Sequence, residues 1–175
     1  MADSSDKKWY ALRVFKNRLR YVKSQVEEAG NETYQALKTI DTFNGGSIKY
    51  KVVPLIPALL FIKVTPAYIE KLKKDRYDHV LVYGTPEGKP EPISDEQMET
   101  FILVTSPGGG CEVSVPEDGM EQYRKGDPVR VIAGYYKGAT GVVRRIKKDR
   151  KLLVAIEGVA VVAVSNIPLE FLEKI

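Results

Sequence analysis

The chain has 175 residues, 43% of them hydrophobic and 29% charged, with a net charge of +4. That suits one medium or two small globular domains, and no apolar run is long enough to span a bilayer. A single cysteine, Cys111, excludes an intrachain disulfide framework. The polar start, MADSSDKK, has no secretion-signal core, so a cytoplasmic protein is expected. Charge is uneven along the chain. Residues 1–106 carry 16 basic and 14 acidic side chains, 107–119 carry three acidic and no basic ones, and 120–175 carry 11 basic and 6 acidic ones. An excess this small permits contact with nucleic acid or ribosome without selecting either.

In chain order, residues 9–15 (WYALRVF) alternate apolar and polar and predict a strand. Leu19, Val22, Val26 and Ala29 recur at helical spacing over 18–29, with Gly30 placed to cap the end. A second strand is expected over 33–40, a hairpin turn at FNGGS (43–47) and a third strand over 48–53. Pro54 and Pro57 interrupt before 58–64 (ALLFIKV), a run that fits a central strand covered on both faces. Thr65-Pro66 is a helix start, and that helix is expected to end near Arg76. A strand over 79–84 follows, then a helix opened by the capping-box spacing of Ser94 and Gln97.

Residues 106–119 are rich in Gly, Pro and acids and predict a linker with one short β segment at 112–115. Beyond Met120 every element reads as a short strand: 129–133, 141–147, 152–157 and 159–165, with 168–172 as a last turn or strand. The pattern predicts an α+β protein, with an N-terminal α/β sandwich joined by a flexible linker to a small all-β barrel.

The stretch GDPVRVIAGYYKGATGVVRRIKKDRK (126–151), punctuated by Gly134, Gly138 and Gly141, resembles a KOW motif, the core of a small barrel. The first half resembles the N-terminal (NGN) domain of the NusG family in its WY-containing first strand, basic first helix, Pro-punctuated central strand and PISDEQMETFI at 92–102. The resemblance runs from Lys8 to Ile175. It implies a polar tail at 1–8, an NGN-like domain at 9–106, a linker at 107–119 and a KOW barrel at 120–175. Asn17-Arg18-Leu19, LIPALLF at 55–61, IEGVAVVAV at 156–164 and IPLEFLEKI at 167–175 resemble specialised UpxY-type members, which act on particular long operons.

The resemblance implies a monomeric transcription elongation and antitermination factor without cofactor, metal or membrane. It would grip the clamp helices of the largest RNA polymerase subunit. The polymerase pocket is expected at Trp9, Tyr10, Ile56, Leu59, Phe61, Val80 and Tyr83. Of these, Phe61 and Val80 read as core, and Tyr10, Leu59 and Tyr83 as interface. Lys16, Arg18, Arg20 and Lys23 on the first helix either contact the non-template DNA strand or form a solvated face. Tyr135, Tyr136, Glu157, Gly158 and Val159 are expected to meet a second partner, a small-subunit ribosomal protein or Rho. Two adjacent tyrosines at a Gly-bounded turn are hard to bury together, so one is expected to be exposed. The basic tip at Arg144, Arg145, Lys147, Lys148, Arg150 and Lys151 either touches RNA or forms a solvated hairpin, and the turn chemistry of Asp149 favours the hairpin. The competing class is a ribosome-associated or RNA-binding KOW protein.

The sequence argues against an enzyme. One histidine, His79, and one cysteine cannot supply a His/Cys metal site. Gly88-Lys89 is followed by Pro90 rather than the Ser or Thr of a phosphate loop.

Overall fold

Strand register and the spacing of apolar residues build the first of two units in a computed structural model that describes residues 6–75 and 78–175. That unit reaches to Asp95, and the second runs from Glu96 to Ile175. The first contains β1 (Lys8–Val14), α1 (Leu19–Glu28), β2 (Glu32–Tyr34), β3 (Leu37–Asn44), β4 (Ser47–Pro54), β5 (Leu59–Val64), α2 (Pro66–Asp75) and β6 (Val80–Val82). Its main sheet has the order β2-β5-β1-β6. β1 lies antiparallel to β5, with Trp9 opposite Lys63 and Arg13 opposite Leu59.

Alternation along these strands decides the core. Tyr10, Leu12 and Val14 of β1 and Leu60, Ile62 and Val64 of β5 turn to one face, against Val22 and Val26 of α1 and Ile69 and Leu72 of α2. The apolar side chains of α1 stand three and four residues apart, which makes the inward stripe. α2 opens as expected: the Thr65 hydroxyl accepts from the Tyr68 amide at 3.2 Å. Arg76, where that helix was expected to end, lies outside the described residues.

The single strand expected over 33–40 is two strands in different sheets. Among the described residues, β2 pairs with β5, and β3 pairs only with β4. Between them Ala36 accepts from the Leu55 amide at 2.9 Å, which ties the exit of β2 to the end of β4. The β3–β4 ribbon turns through Gly45 and Gly46, both at positive φ (60° and 85°), as a primed hairpin turn demands.

The second unit holds all of α3 (Asp95–Thr105) but its first residue, then β7 (Val113–Ser114), α4 (Gly119–Arg124), β8 (Asp127–Val131), β9 (Thr140–Ile146), β10 (Asp149–Ile156), β11 (Ala160–Ser165), a 3-10 turn at Leu169–Phe171 and β12 (Leu172–Lys174). Its sheet is antiparallel in the order β12-β8-β9-β10-β11-β7. The edge strands β12 and β7 are not paired with each other, so the sheet is open where a closed barrel was expected. Nor is the region after Met120 all strand. In α4, Met120 and Tyr123 stand three residues apart and pack on Val142, Leu153, Val161 and Ala163. A six-residue helix is too short for its period to show against neighbouring strands. Gly141 permits close pairing of β9 and β10, since a Cβ there would lie 2.3 Å from the Leu153 carbonyl oxygen.

Among the described residues, no helix is long and apolar enough to cross a membrane. Among the same residues, no group of three or more His, Cys, Asp or Glu side chains is placed to hold a metal.

Candidate functional site

Register splits five of the seven expected polymerase-contact residues between two faces of one sheet. Tyr10 and Val80 belong to the helix-covered core. Trp9, Leu59 and Phe61 alternate to the opposite face and are also buried. Trp9 is held there by the Ile93 amide, which donates to its carbonyl at 2.8 Å, and by the Lys63 ammonium 6.0 Å from its ring centre. Tyr10 and Leu59 were read as interface and are instead 3% and 5% exposed. Burial holds the Tyr10 phenol above its usual pKa, and the nearby Glu70 carboxylate adds to the shift. Ile56 and Tyr83 remain half-exposed.

The accessible surface on that second face keeps Tyr83 from the expected set and adds Arg13, Phe15 and Leu81, which the sequence does not single out. Leu81 pairs with Arg13 and is exposed, and so is Phe15. The Arg13 guanidinium sits 5.3 Å from the Phe15 ring centre. Tyr83 follows Leu81 by two residues, and its amide donates to the Ala11 carbonyl at 3.0 Å. It therefore shares the face of Arg13 and Leu81.

Three of the four basic residues of the first helix region meet in a groove of about 880 Å³ lined by Lys16, Arg20 and Lys23 on one side and Leu37, Val52 and Pro54 of the ribbon on the other. Arg18 is not among the lining residues, and its guanidinium lies 6.0 Å from the Tyr21 ring centre. Lys16 and Asn17, at the lip, both have positive φ (56° and 55°), a conformation that costs a residue with a side chain. Lys16 is 3.5 Å from Asp78 and Lys23 is 3.9 Å from Glu27. The Asp78 carboxyl is held below its usual pKa, first by its hydrogen bond from His79 and then by charge, including that of Lys16.

The ribbon continues the apolar wall outward. Leu37, Thr39, Asp41 and Phe43 face the same way as their partners Pro54, Val52, Tyr50 and Ile48, and Lys38, Lys49 and Lys51 lie on the other face. Phe43 is 80% exposed and Tyr50 76%. A contiguous exposed apolar face of this kind marks an interaction surface. In sequence these residues look like any half-buried strand, because nothing local reveals that the covering layer is missing.

In the second unit the tyrosine pair behaves as the sequence argued: Tyr135 is 50% exposed and Tyr136 5%. Their rings meet edge to face at 5.1 Å. The Tyr135 hydroxyl donates to the Pro107 carbonyl at 3.2 Å. Gly109 lets the chain pass so close that a Cβ there would fall 2.0 Å from the Tyr136 hydroxyl oxygen. Burial raises the pKa of that hydroxyl. Further along, Glu112 accepts from the Ser165 amide at 2.9 Å, and Val113–Ser114 adds an edge strand to β11. Much of segment 107–119 is therefore packed onto its own unit, and the division between units falls at Asp95–Glu96. Glu157 and Gly158 are exposed and Val159 is half-buried, and Glu157 lies 3.7 Å from Arg124.

Residues 7–102 match the family described as "Transcription termination factor nusG", more than half of the chain. No curated protein matches the chain. Among solved structures, one described as "Domain interaction in Thermotoga maritima NusG" matches at 17% identity with a TM-score of 0.48, covering 99% of each chain. The chain belongs to the NusG family of transcription elongation and termination factors.

Proposed function

We propose that this protein is an operon-specific, UpxY-type elongation and antitermination factor that binds RNA polymerase through its first unit and suppresses pausing. Members of the family act on transcription through RNA polymerase and are not enzymes, so the chemistry stays with the polymerase. The observation that carries the reading is the open sheet face at Arg13, Phe15, Leu81 and Tyr83, with Ile56 as a further contact. It combines a tyrosine and a stacked guanidinium, residue types enriched among those that dominate interface energetics, with exposed apolar surface from Phe15 and Leu81. Tyr10, Trp9, Leu59, Phe61 and Val80 support that face from within.

Beside it, the groove bearing Lys16, Arg20 and Lys23 suits the exposed non-template DNA strand, with cations for phosphates and an apolar wall for bases. Arg18 contributes long-range charge. Tyr135 and the turn at Glu157, Gly158 and Val159 offer the second unit to a ribosomal protein or to Rho. Tyr136 holds Tyr135 in place. The expected closed KOW barrel would require β12 and β7 to pair.

The test is retention of purified core RNA polymerase by the full-length protein, compared with Leu81→Asp and Tyr83→Ala. Both positions are accessible, so folding should be kept, and circular dichroism checks this. Retention by the unmodified chain with at least a tenfold loss in Leu81→Asp supports the proposed surface. Undiminished binding by both variants moves the surface elsewhere, and no binding by the unmodified chain overturns the reading.

A further inference from the structure

In sequence the basic hairpin tip of the second unit reads mainly as a solvated hairpin, but three of its arginines, Arg144, Arg145 and Arg150, help to form a cavity. Strand register puts Arg145 directly opposite Arg150, Val143 opposite both Leu152 and Asp127, and Lys174 opposite Val129. Alternation along β8, β9, β10 and β12 therefore turns Arg145, Arg150, Lys174 and Asp127 to the same side of the sheet as Val129 and Val143. These six residues line a cavity of about 510 Å³, within the size range of small-molecule sites.

The electrostatics there are unbalanced. Lys125 and Arg144 also line the cavity, but their donors are engaged. Lys125 pairs with Glu121, and Arg144 donates to Gln122 Oε1 at 3.0 Å and to the Lys125 carbonyl at 3.3 Å. Among the described residues, Arg145, Arg150 and Lys174 have no ion-pair partner. Two arginines directly opposite on neighbouring strands repel each other, and a bound anion would relieve that repulsion. The wall between them is apolar, and a single carboxylate, Asp127, stands at its edge. Cations, an apolar wall and one acceptor carboxylate fit the three parts of a ribonucleotide: its phosphate, its base, and a ribose hydroxyl that donates to the carboxylate.

We infer that this cavity binds a ribonucleotide, presented either within single-stranded RNA or as a free nucleotide. Arg145, Arg150 and Lys174 hold the phosphate, Val129 and Val143 pack against the base, and Asp127 accepts from the ribose. This site is independent of polymerase binding and can fail or hold without it.

The test uses the full-length protein and three probes in parallel: fluorescein-labelled U12 RNA, the matching DNA oligonucleotide, and AMP. Anisotropy reads the first two and calorimetry the third. RNA binding should fall at least tenfold in the Arg145→Ala/Arg150→Ala double variant, with a shallower salt dependence. The Asp127→Asn variant should narrow the preference for RNA over DNA. RNA binding without AMP binding identifies the polymer as the source, and AMP binding that RNA does not displace identifies the free nucleotide. Both support the site if the double variant abolishes them. Three results overturn it: no binding of either probe, binding indifferent to the double variant, or equal binding of poly-glutamate. All the substituted residues are exposed, so the variants should fold, and their melting temperatures verify this.

Discussion

β4 and β5 are separated by four residues, and both are rich in aliphatic and aromatic side chains, yet their environments are opposite. Five of the six residues of β5 are buried, whereas every residue of β4 except Val53 is exposed. The difference lies in what each strand pairs with. β5 has β1 and β2 on either side, and helices cover one of its faces, whereas among the described residues β4 has only β3. A run of apolar residues thus builds a core in one place and an interaction surface in the other. β4 carries two alternating lysines, Lys49 and Lys51, where β5 has the single Lys63, and lysines of this kind discourage strand-to-strand association at an open ribbon.

The sharpest way to break this contrast is to truncate one aromatic from each strand environment. Phe61→Ala in β5 should destabilise the fold by about 3–5 kcal/mol in denaturant unfolding, through lost burial and a cavity. A loss below about 1 kcal/mol would show that β5 is not the core strand described. Tyr10 of β1, on the helix-covered face of the same sheet, gives a pH-dependent version. Its pKa is raised in the folded chain, so the folded state holds the phenolic proton more tightly. Stability should be constant below the ordinary tyrosine pKa of about 10 and decline as pH rises above it. Tyr10→Phe should remove its share of that decline, and an unchanged alkaline profile would count against burial of the hydroxyl.

Smaller effects test the joint and the ribbon. Ala58 links the two strand environments at φ 65°, a conformation costing a non-glycine residue about 1–2 kcal/mol. Glycine there relieves the strain but adds about 0.5–1 kcal/mol of chain entropy in the unfolded state. Ala58→Gly should therefore stabilise by up to about 1 kcal/mol, and a lower melting temperature would refute the strain. Phe43→Ala at the ribbon tip should change stability by no more than about 0.5 kcal/mol. A larger loss would mean that the tip is packed rather than open.

The sequence alone determined most element types, because these are local matters. Thr65-Pro66 starts a helix, Asn44-Gly45-Gly46 turns a hairpin, and the short run LLFIKV between Pro57 and Thr65-Pro66 reads as a strand. It also carried the family, through motifs spread along the chain. Only the tertiary structure decided which apolar residues are buried. Tyr10 and Leu59 are interior while Phe15 and Leu81 are open, since alternation says only that neighbouring residues face opposite ways, not which face is covered. The division of 33–40 into two sheets and the meeting of Arg145, Arg150 and Lys174 around one cavity were likewise invisible. Both depend on pairings between residues far apart in the chain, and local pattern carries no record of those.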